Sequence, residues 1–550
     1  LNPLPSPGPA SPLPADGASF DVLVVGGGIN GAGIARDLAG RGLRVLLTEQ
    51  HDLARHTSSS STKLIHGGLR YLEYYEFNLV RKALAERERL LRSAPHIMWP
   101  LRFVMPHDAS MRPVWMVRIG LFLYDHLAKR EWLPASTTVN LRQHPAGAPL
   151  KPGYARGFIY SDGWVDDARL VVLNAVDAQD RGATVLTRCK CTSARRGAAV
   201  GASGTAGWTA TLQPQGGAAI SVTARALVNA AGPWTGAFLK EQAQLPSAKS
   251  LRLVKGSHIV VKKLFDHDHA YIFQNPDKRI IFAIPYEGDY TLIGTTDVEI
   301  GGAPDSARID AQETAYLCEQ ASRYFAKPVL PADVVWAYAG VRPLLDDDSG
   351  DASAVTRDYL LDFDDGPQAG QAPLLSIWGG KITTFRKLAE EAADGLVMRL
   401  GERRPAWTER AFLPGGDLSA SIGAAQRPDV DIRRFTQTLA QSHPQVPPAV
   451  RERWARLYGA RITLLLPAGA ALGDEVAPGL FEAELDYLHR HEWARSADDV
   501  LWRRSKLGLH YSEAQREQVA HWWRAHHPEA APQGAPLAAN RNDNNNTETA

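Results

Sequence analysis

Phe20-Asp21-Val22-Leu23-Val24-Val25-Gly26-Gly27-Gly28-Ile29-Asn30-Gly31-Ala32-Gly33-Ile34-Ala35 is the stretch that decides the architecture. Its first six residues form a short apolar, β-branched run, the pattern of a strand buried on both faces in a parallel sheet. The run enters glycines spaced as G-x-G-x-x-G (Gly26, Gly28, Gly31), and a helical pattern then continues to about Arg41. Gly26 permits a tight turn, Gly28 lets a pyrophosphate approach the backbone, and Gly31 lets the helix lie close on the strand. Free N–H groups and the helix dipole at such a turn attract a diphosphate. A second strand, Leu43 to Thr48, ends at Glu49, near the ~20-residue spacing at which an acid meets an adenosine ribose. An acid there favours an unphosphorylated ribose, hence FAD or NAD and not NADP. A glycine-rich turn without a ligand would need neither the second strand nor its terminal acid.

The chain around this stretch has 550 residues, too many for one hydrophobic core, so two or three domains are expected. A composition of 44% hydrophobic and 22% charged residues is that of an ordinary soluble globular protein. Lys plus Arg total 61 against 60 acidic residues, which gives no electrostatic reason to expect nucleic acid as a partner. Three cysteines are too few for a disulfide framework and fit a reducing compartment. Cys189-x-Cys191 offers half of a metal site, but no second ligand pair with zinc spacing follows. It reads as two small residues on one face of a strand, and no metal is expected. No apolar stretch reaches the ~18–20 residues of a spanning helix. Residues 1–19 read as a disordered leader and 528–550 as a polar disordered tail.

Between Glu49 and the next regular pattern lies His51-Asp52-Leu53-Ala54-Arg55-His56-Thr57-Ser58-Ser59-Ser60-Ser61-Thr62-Lys63-Leu64-Ile65-His66-Gly67-Gly68-Leu69-Arg70-Tyr71. An NAD fold would continue with regular strand–helix units. This hydroxyl-rich loop instead offers donors to a diphosphate and ring, with a Gly-Gly pair for close approach. Ala226–Trp234 reads as a strand ending in small residues. Leu374–Thr384 reads as another, ending in Gly379-Gly380 before a helix to about Leu400.

On these segments the chain resembles the FAD-dependent, aerobic, membrane-associated glycerol-3-phosphate dehydrogenases. The resemblance is carried by Gly26–Ala35, Thr57–Glu73, Tyr160–Leu170, Lys255-Gly256-Ser257-His258 and Ile293–Asp297. It continues through Gly340-Val341-Arg342-Pro343-Leu344, Thr356-Arg357-Asp358-Tyr359 and Gly379–Thr384, and spans roughly residues 20 to 525. It implies an α/β fold with a Rossmann-like FAD domain of the glutathione-reductase/D-amino-acid-oxidase type. That domain is expected at about 20–95, 163–240 and 355–400. A mostly antiparallel substrate domain is expected at about 96–162 and 241–354, and a helical C-terminal domain at 401–527.

For the cofactor the resemblance implies Gly26, Gly27, Gly28, Ile29, Asn30, Gly31, Glu49, Thr57, Ser58, Ser61, Lys63, His66, Gly67, Gly68, Leu69, Gly232, Gly380, Lys381, Ile382 and Thr383. For a phosphate dianion it points to Arg70, Arg342, Arg357 and Lys381, and a guanidinium fork suits two phosphate oxygens. Arg342 reads as a turn residue before Pro343. His258 is expected beside the C2 hydroxyl of glycerol 3-phosphate, where it accepts or relays a proton as hydride passes to the flavin; His66 is its competitor. The resemblance further implies ubiquinone as acceptor, peripheral attachment to the cytoplasmic face of the inner membrane, and a homodimer.

Two segments stay open on the residues. Arg112–Arg130 reads equally as an interfacial helix with Arg118, Asp125 and Lys129 on one polar face, or as a helix buried in the substrate domain. Trp502-Arg503-Arg504-Ser505-Lys506 reads as a solvated helix face, with lipid or nucleotide contact as its alternative. Three rival functions remain: a soluble glycerol-phosphate oxidase using O₂, a flavin amine or amino-acid oxidase, and a non-catalytic dinucleotide-fold binding protein.

Overall fold

The computed structural model describes residues 12–108, 111–200, 205–277, 279–346, 358–366, 371–467 and 469–528. The opening strand, Ala18–Val25, lies at the centre of a parallel sheet, between Ile220–Asn229 and Val45–Thr48. Leu374–Trp378 and Thr184–Leu186 extend the two sides in parallel, and Leu360–Asp364 closes one edge antiparallel. Val22, Leu23 and Val24 are all buried because both faces of the sheet are covered. Helices Ile29–Gly40, Asp167–Asp180 and Phe385–Arg399 pack on one face. On the other lie the Cys189–Val200 and Thr205–Pro214 strands with Phe238 and Leu239. Cys189 and Cys191 both sit in that second layer as free thiols, and burial pushes the Cys191 thiol up to about 12.

The start of the sheet differs from the sequence reading. Residues 18 and 19 belong to the strand, and Asp16 accepts from the Ser221 N–H at 2.7 Å, so the leader reading fails for the end of 1–19. Residues 1–11 and 529–550 lie outside the described residues.

The second sheet is antiparallel except where Met98–His107 runs parallel to Ala270–Gln274. Its long central strand, Leu251–Lys262, pairs with Tyr290–Gly294 on one side and Val334–Leu345 on the other. Two boundaries move. Leu64–Ile65, read as part of the flavin unit, is hydrogen-bonded into this sheet, and Arg156–Val165 runs through the division drawn at 162/163.

The C-terminal part is a helical unit with its own core, including Pro428–Ser442, Pro448–Tyr458, Glu482–His491 and Glu513–His526. Ser512 caps the last helix in a reciprocal box with Gln515. Trp502–Lys506 is not a solvated face. Arg503 and Arg504 are buried and both bind Asp52, while Trp502 stacks on Trp336 at 5.0 Å.

Helix Val114–His126 is neither fully buried nor arranged as drawn. Leu121, Tyr124 and Asp125 face inward, and Trp115, Ile119 and Phe122 face outward. Asp125 leaves the proposed polar face because its carboxylate accepts from the Ser136 N–H (2.8 Å) and hydroxyl (2.6 Å). No helix among the described residues is long and apolar enough to cross a membrane.

Candidate functional site

Two cavities meet end to end where Ile29, Thr57, Ser58, Pro343, Gly379 and Gly380 line both, forming one elongated cleft between the sheets. The lobe of about 470 Å³ runs along the glycine turn and Glu49, and the lobe of about 320 Å³ opens toward the second sheet. A long two-lobed cleft is the shape a dinucleotide needs.

The turn is built to bring backbone close. Gly26 has φ +104°, and a Cβ there would lie 2.5 Å from the Ala230 carbonyl oxygen. A Cβ on Gly31 would come within 1.9 Å of the Gly26 oxygen, so the helix rests on the turn only because both lack side chains. Gly28 caps the helix with no side-chain hydrogen bond of its own, the Ile29 N–H donates to the Ser58 hydroxyl at 3.0 Å, and no acid in the first turn offsets this positive end, which suits an anion. The two oxygens of Glu49 accept from the Gly27 N–H (2.7 Å) and the His51 N–H (2.8 Å). Burial pushes its carboxyl up, and those N–H groups oppose the shift. Asn30 donates to the Gly379 carbonyl at 3.2 Å, while its own oxygen is buried with no partner. An orphaned acceptor beside this helix end fits a dinucleotide that completes the site. His51 and His56, hydrogen-bonded at 2.9 Å, also line this lobe; burial first, then Arg55, lowers His51 to about 4, and burial first, then His51 and Arg55, lowers His56 to about 3.

The smaller lobe has a charged end and an apolar end. Arg342, Lys381 and Arg70 line it with Asp297, Thr295 and Asp358; Leu64, Tyr160, Ile272, Ile280 and Phe282 line the rest. Arg342 is fixed by Asp297 at one Nη and donates to the Thr295 hydroxyl at 3.0 Å from the other. That leaves the remaining N–H groups of the fork for a ligand oxygen. Lys381 Nζ lies 4.0 Å from the Tyr71 ring centroid, and Arg70 donates to the Tyr74 hydroxyl at 3.3 Å.

His258 joins this wall from the central strand, directly across from Gly294 and Tyr338. Burial first, then Arg342 and Lys63, holds its ring well below the ordinary histidine pKa, so it is neutral at physiological pH.

Most of the sequence-predicted residues meet at the cleft. Gly26, Gly28, Ile29, Asn30, Glu49 and Gly232 line the larger lobe, and Thr57, Ser58 and Gly380 stand at the junction. Ser61, His66, Gly68, Leu69, Lys381, Ile382 and Thr383 line the smaller. Gly27 and Gly31 shape the turn from behind.

Three readings need correction. Lys63 lines neither lobe: it is buried, with Nζ 2.6 Å from Asp167 and 3.0 Å from the Ser59 carbonyl. Gly67 is likewise off the walls, held from behind by the Tyr124 hydroxyl at 2.8 Å, which bonds Asp162, itself paired with Arg87. Arg342 stands on the strand Val334–Leu345 and not in a turn, because Pro343 takes an edge-compatible position in it. Arg357 lies outside the described residues. Thr62, Tyr338 and Thr295 went unselected, since one hydroxyl in a Ser/Thr run or one strand tyrosine gives no local signal.

A family model described as FAD dependent oxidoreductase matches residues 21–386, and one described as C-terminal domain of alpha-glycerophosphate oxidase matches 406–527. The chain is 51% identical to a glycerol-3-phosphate dehydrogenase of Pseudomonas aeruginosa, over 94% of this chain and 97% of that one. It is 48% identical to a D-erythritol 1-phosphate dehydrogenase of Brucella abortus, over 92% and 98%. Among solved structures, the glycerol-3-phosphate dehydrogenase of Bacillus halodurans complexed with FAD superposes with a TM-score of 0.71 at 27% identity, covering 93% of this chain and 91% of that one.

Proposed function

The chain belongs to the FAD-dependent glycerol-3-phosphate dehydrogenase family, and from that premise we propose that it oxidises sn-glycerol 3-phosphate to dihydroxyacetone phosphate and passes the electrons to a membrane quinone. The observation that carries the substrate reading is the smaller lobe, where the Arg342 fork, Lys381 and Arg70 share one cavity with a neutral, buried His258. The cations take the phosphate dianion, and Asp297 with Thr295 aims the fork before substrate arrives. A neutral imidazole is the form that can take up the proton released at C2, directly or through a neighbour. FAD, when bound, supplies the hydride acceptor. Arg357 remains a fourth proposed phosphate ligand.

Two features support the acceptor and the location. The smaller lobe is apolar along Leu64, Ile272, Ile280 and Phe282, and its wall includes Tyr74, which is exposed at the protein surface. Helix Val114–His126 turns Trp115 (62% exposed), Ile119 (52%) and Phe122 (59%) outward, and Tyr75 is 79% exposed. Exposed aromatic residues on one helix, with Arg118 on it and Arg112 and Lys129 just beyond its two ends, suit the headgroup layer of a membrane.

The test is the visible spectrum of the purified protein during anaerobic addition of glycerol 3-phosphate, with D-erythritol 1-phosphate and glycerol in parallel. Bleaching by glycerol 3-phosphate in preference to the other two is expected. Preferential bleaching by the tetritol phosphate would reassign the substrate. Reoxidation by a quinone in vesicles, faster than by O₂, is expected; peroxide formed at the turnover rate would make the protein an oxidase.

A further inference from the structure

The C2 hydroxyl must lose its proton, yet one ring nitrogen of His258 is buried and the other is engaged by Thr62. The residue is only 1% exposed, its Nδ1 is buried without a partner, and its Nε2 is 2.9 Å from Thr62 Oγ1. The ring is also unable to swing. Tyr338 stacks on it at 4.8 Å and 14°, held by its hydroxyl bond to the Ser61 carbonyl at 2.9 Å. From the other neighbouring strand the Gly294 backbone comes so close that a Cβ there would lie 2.1 Å from the imidazole Cδ2. Thr62, in contrast, is partly exposed and forms the cavity wall in front of the ring.

We propose that Thr62 is a catalytic proton relay: its hydroxyl, not the imidazole, receives the proton of the substrate C2 hydroxyl and hands its own to His258 Nε2. This deepens the glycerol-phosphate reading and rests on it. As hydride leaves C2 with its electron pair for the oxidised cofactor, the substrate O–H bond breaks and C2=O forms. The released proton bonds to Thr62 Oγ1, and the former Thr62 proton bonds to Nε2. The substrate loses two electrons and two hydrogens, Thr62 is unchanged, and the ring becomes imidazolium. The step requires the neutral ring to carry its proton on Nδ1. Burial beside Arg342 and Lys63 keeps the ring unprotonated until that moment. A two-hop transfer inside a fixed hydrogen bond needs no side-chain rotation, which suits a ring held between two strands.

The experiment compares wild-type, Thr62→Val and Thr62→Ser holoenzymes by anaerobic stopped-flow flavin reduction, with calorimetric binding of dihydroxyacetone phosphate as the second readout. Thr62→Val is nearly isosteric and lacks the hydroxyl. It should slow flavin reduction by about 10²-fold or more and lower product affinity by no more than about tenfold, the loss of one hydrogen bond to the C2 oxygen, while Thr62→Ser stays within about fivefold of wild type. Reduction by Thr62→Val at a rate near wild type would overturn the relay. So would equal slowing of both variants, or a large loss of product binding, since either would mean a packing role. A wild-type flavin that glycerol 3-phosphate fails to bleach would overturn the substrate reading and the relay with it. A bleached wild type with an unimpaired Thr62→Val would overturn the relay alone.

Discussion

The glycine turn and the seam beneath the C-terminal helices are both buried, but they are made of opposite materials. At the turn, backbone groups and residues without side chains come together, and the polar groups left over face a cleft. At the seam, charged side chains are withdrawn from water in pairs. Arg504 and Arg503 bind Asp52 at 2.7 and 2.6 Å, Arg169 binds Glu492 at 2.9 Å, and Arg461 binds Asp180 at 2.8 Å. At the turn the Asn30 side-chain oxygen is left without a partner, which a ligand will complete. The seam instead sets charge against charge, because an isolated buried charge costs far more than an isolated buried amide. The regions meet at Asp52, three residues past Glu49, which lines the larger lobe while holding both arginines.

The largest effect should follow from breaking the seam there. Burial alone would raise the Asp52 carboxyl; the guanidinium of Arg504, then that of Arg503, override it and hold it well below the usual range. Asp52→Asn removes that charge and leaves two guanidinium groups buried without it. A loss of about 3–5 kcal/mol in chemical denaturation is expected, with weaker FAD retention because the wall of the larger lobe moves. A loss under about 1 kcal/mol would mean that water enters the seam and that the contrast with the turn is false.

The same contrast explains what could be read from the sequence. The turn lies within residues 20–35 and obeys local rules, so Gly26, Gly28, Gly31 and the acid at Glu49 were legible from their spacing. The seam joins residues 323 and 452 positions apart, and nothing local distinguishes Arg504 from a solvated arginine. Lys63 was misread for that reason: its position in a cofactor-facing loop was visible, but its partner Asp167 is 104 residues away. Arg342 was assigned to a turn because proline follows it, although the surrounding sheet carries the strand through. Thr62 was invisible because its meaning comes from a strand almost two hundred residues later, where His258 holds its ring.

Acid should weaken both regions through buried histidines. His96, against the seam, is lowered to about 3, by burial and then by Arg169 and Arg456; His258, at the site, is also lowered, chiefly by burial. A folded-state pKa below the unfolded one means the unfolded chain binds more protons between the two values. These contributions are therefore complete above the unfolded pKa, and stability falls as pH drops below about 6.5, by about 1.4 kcal/mol per pH unit for each ring. Unfolding free energies measured in urea from pH 7.5 to 5 should therefore fall less steeply for His96→Asn than for the wild type, whose total also carries the opposite slope of buried carboxyls such as Glu287, raised to about 7 by burial. Equal slopes in the two proteins would mean that the His96 ring is charged and paired. A smaller change, confined to the cleft, is expected for Arg342→Ala. Losing a charge-assisted bond to phosphate, worth about 1.5–3 kcal/mol, should raise the apparent KM about 10- to 100-fold with flavin content unchanged. An unchanged KM would remove Arg342 from the phosphate clamp.

The smallest expected effect concerns a surface that follows neither rule. Trp115, Ile119 and Phe122 lie four and three residues apart on one face of a helix whose opposite face packs through Leu121 and Tyr124. Neither a cleft nor a seam covers them, so their apolar area stays in contact with water unless a membrane takes it up. Ile119→Ser removes part of that area without touching the packed face. Partition into anionic vesicles should fall about fivefold, the equivalent of roughly 1 kcal/mol of lost burial. Flavin reduction by glycerol 3-phosphate in detergent should not change, because residue 119 does not line the smaller lobe. Raised salt should weaken the binding of wild type and variant alike, since Arg118 and the basic residues flanking the helix act independently of the apolar face. If the wild type floats free of vesicles at low salt, the membrane reading fails and another surface must cover the helix. If both proteins bind equally, attachment lies elsewhere on the molecule.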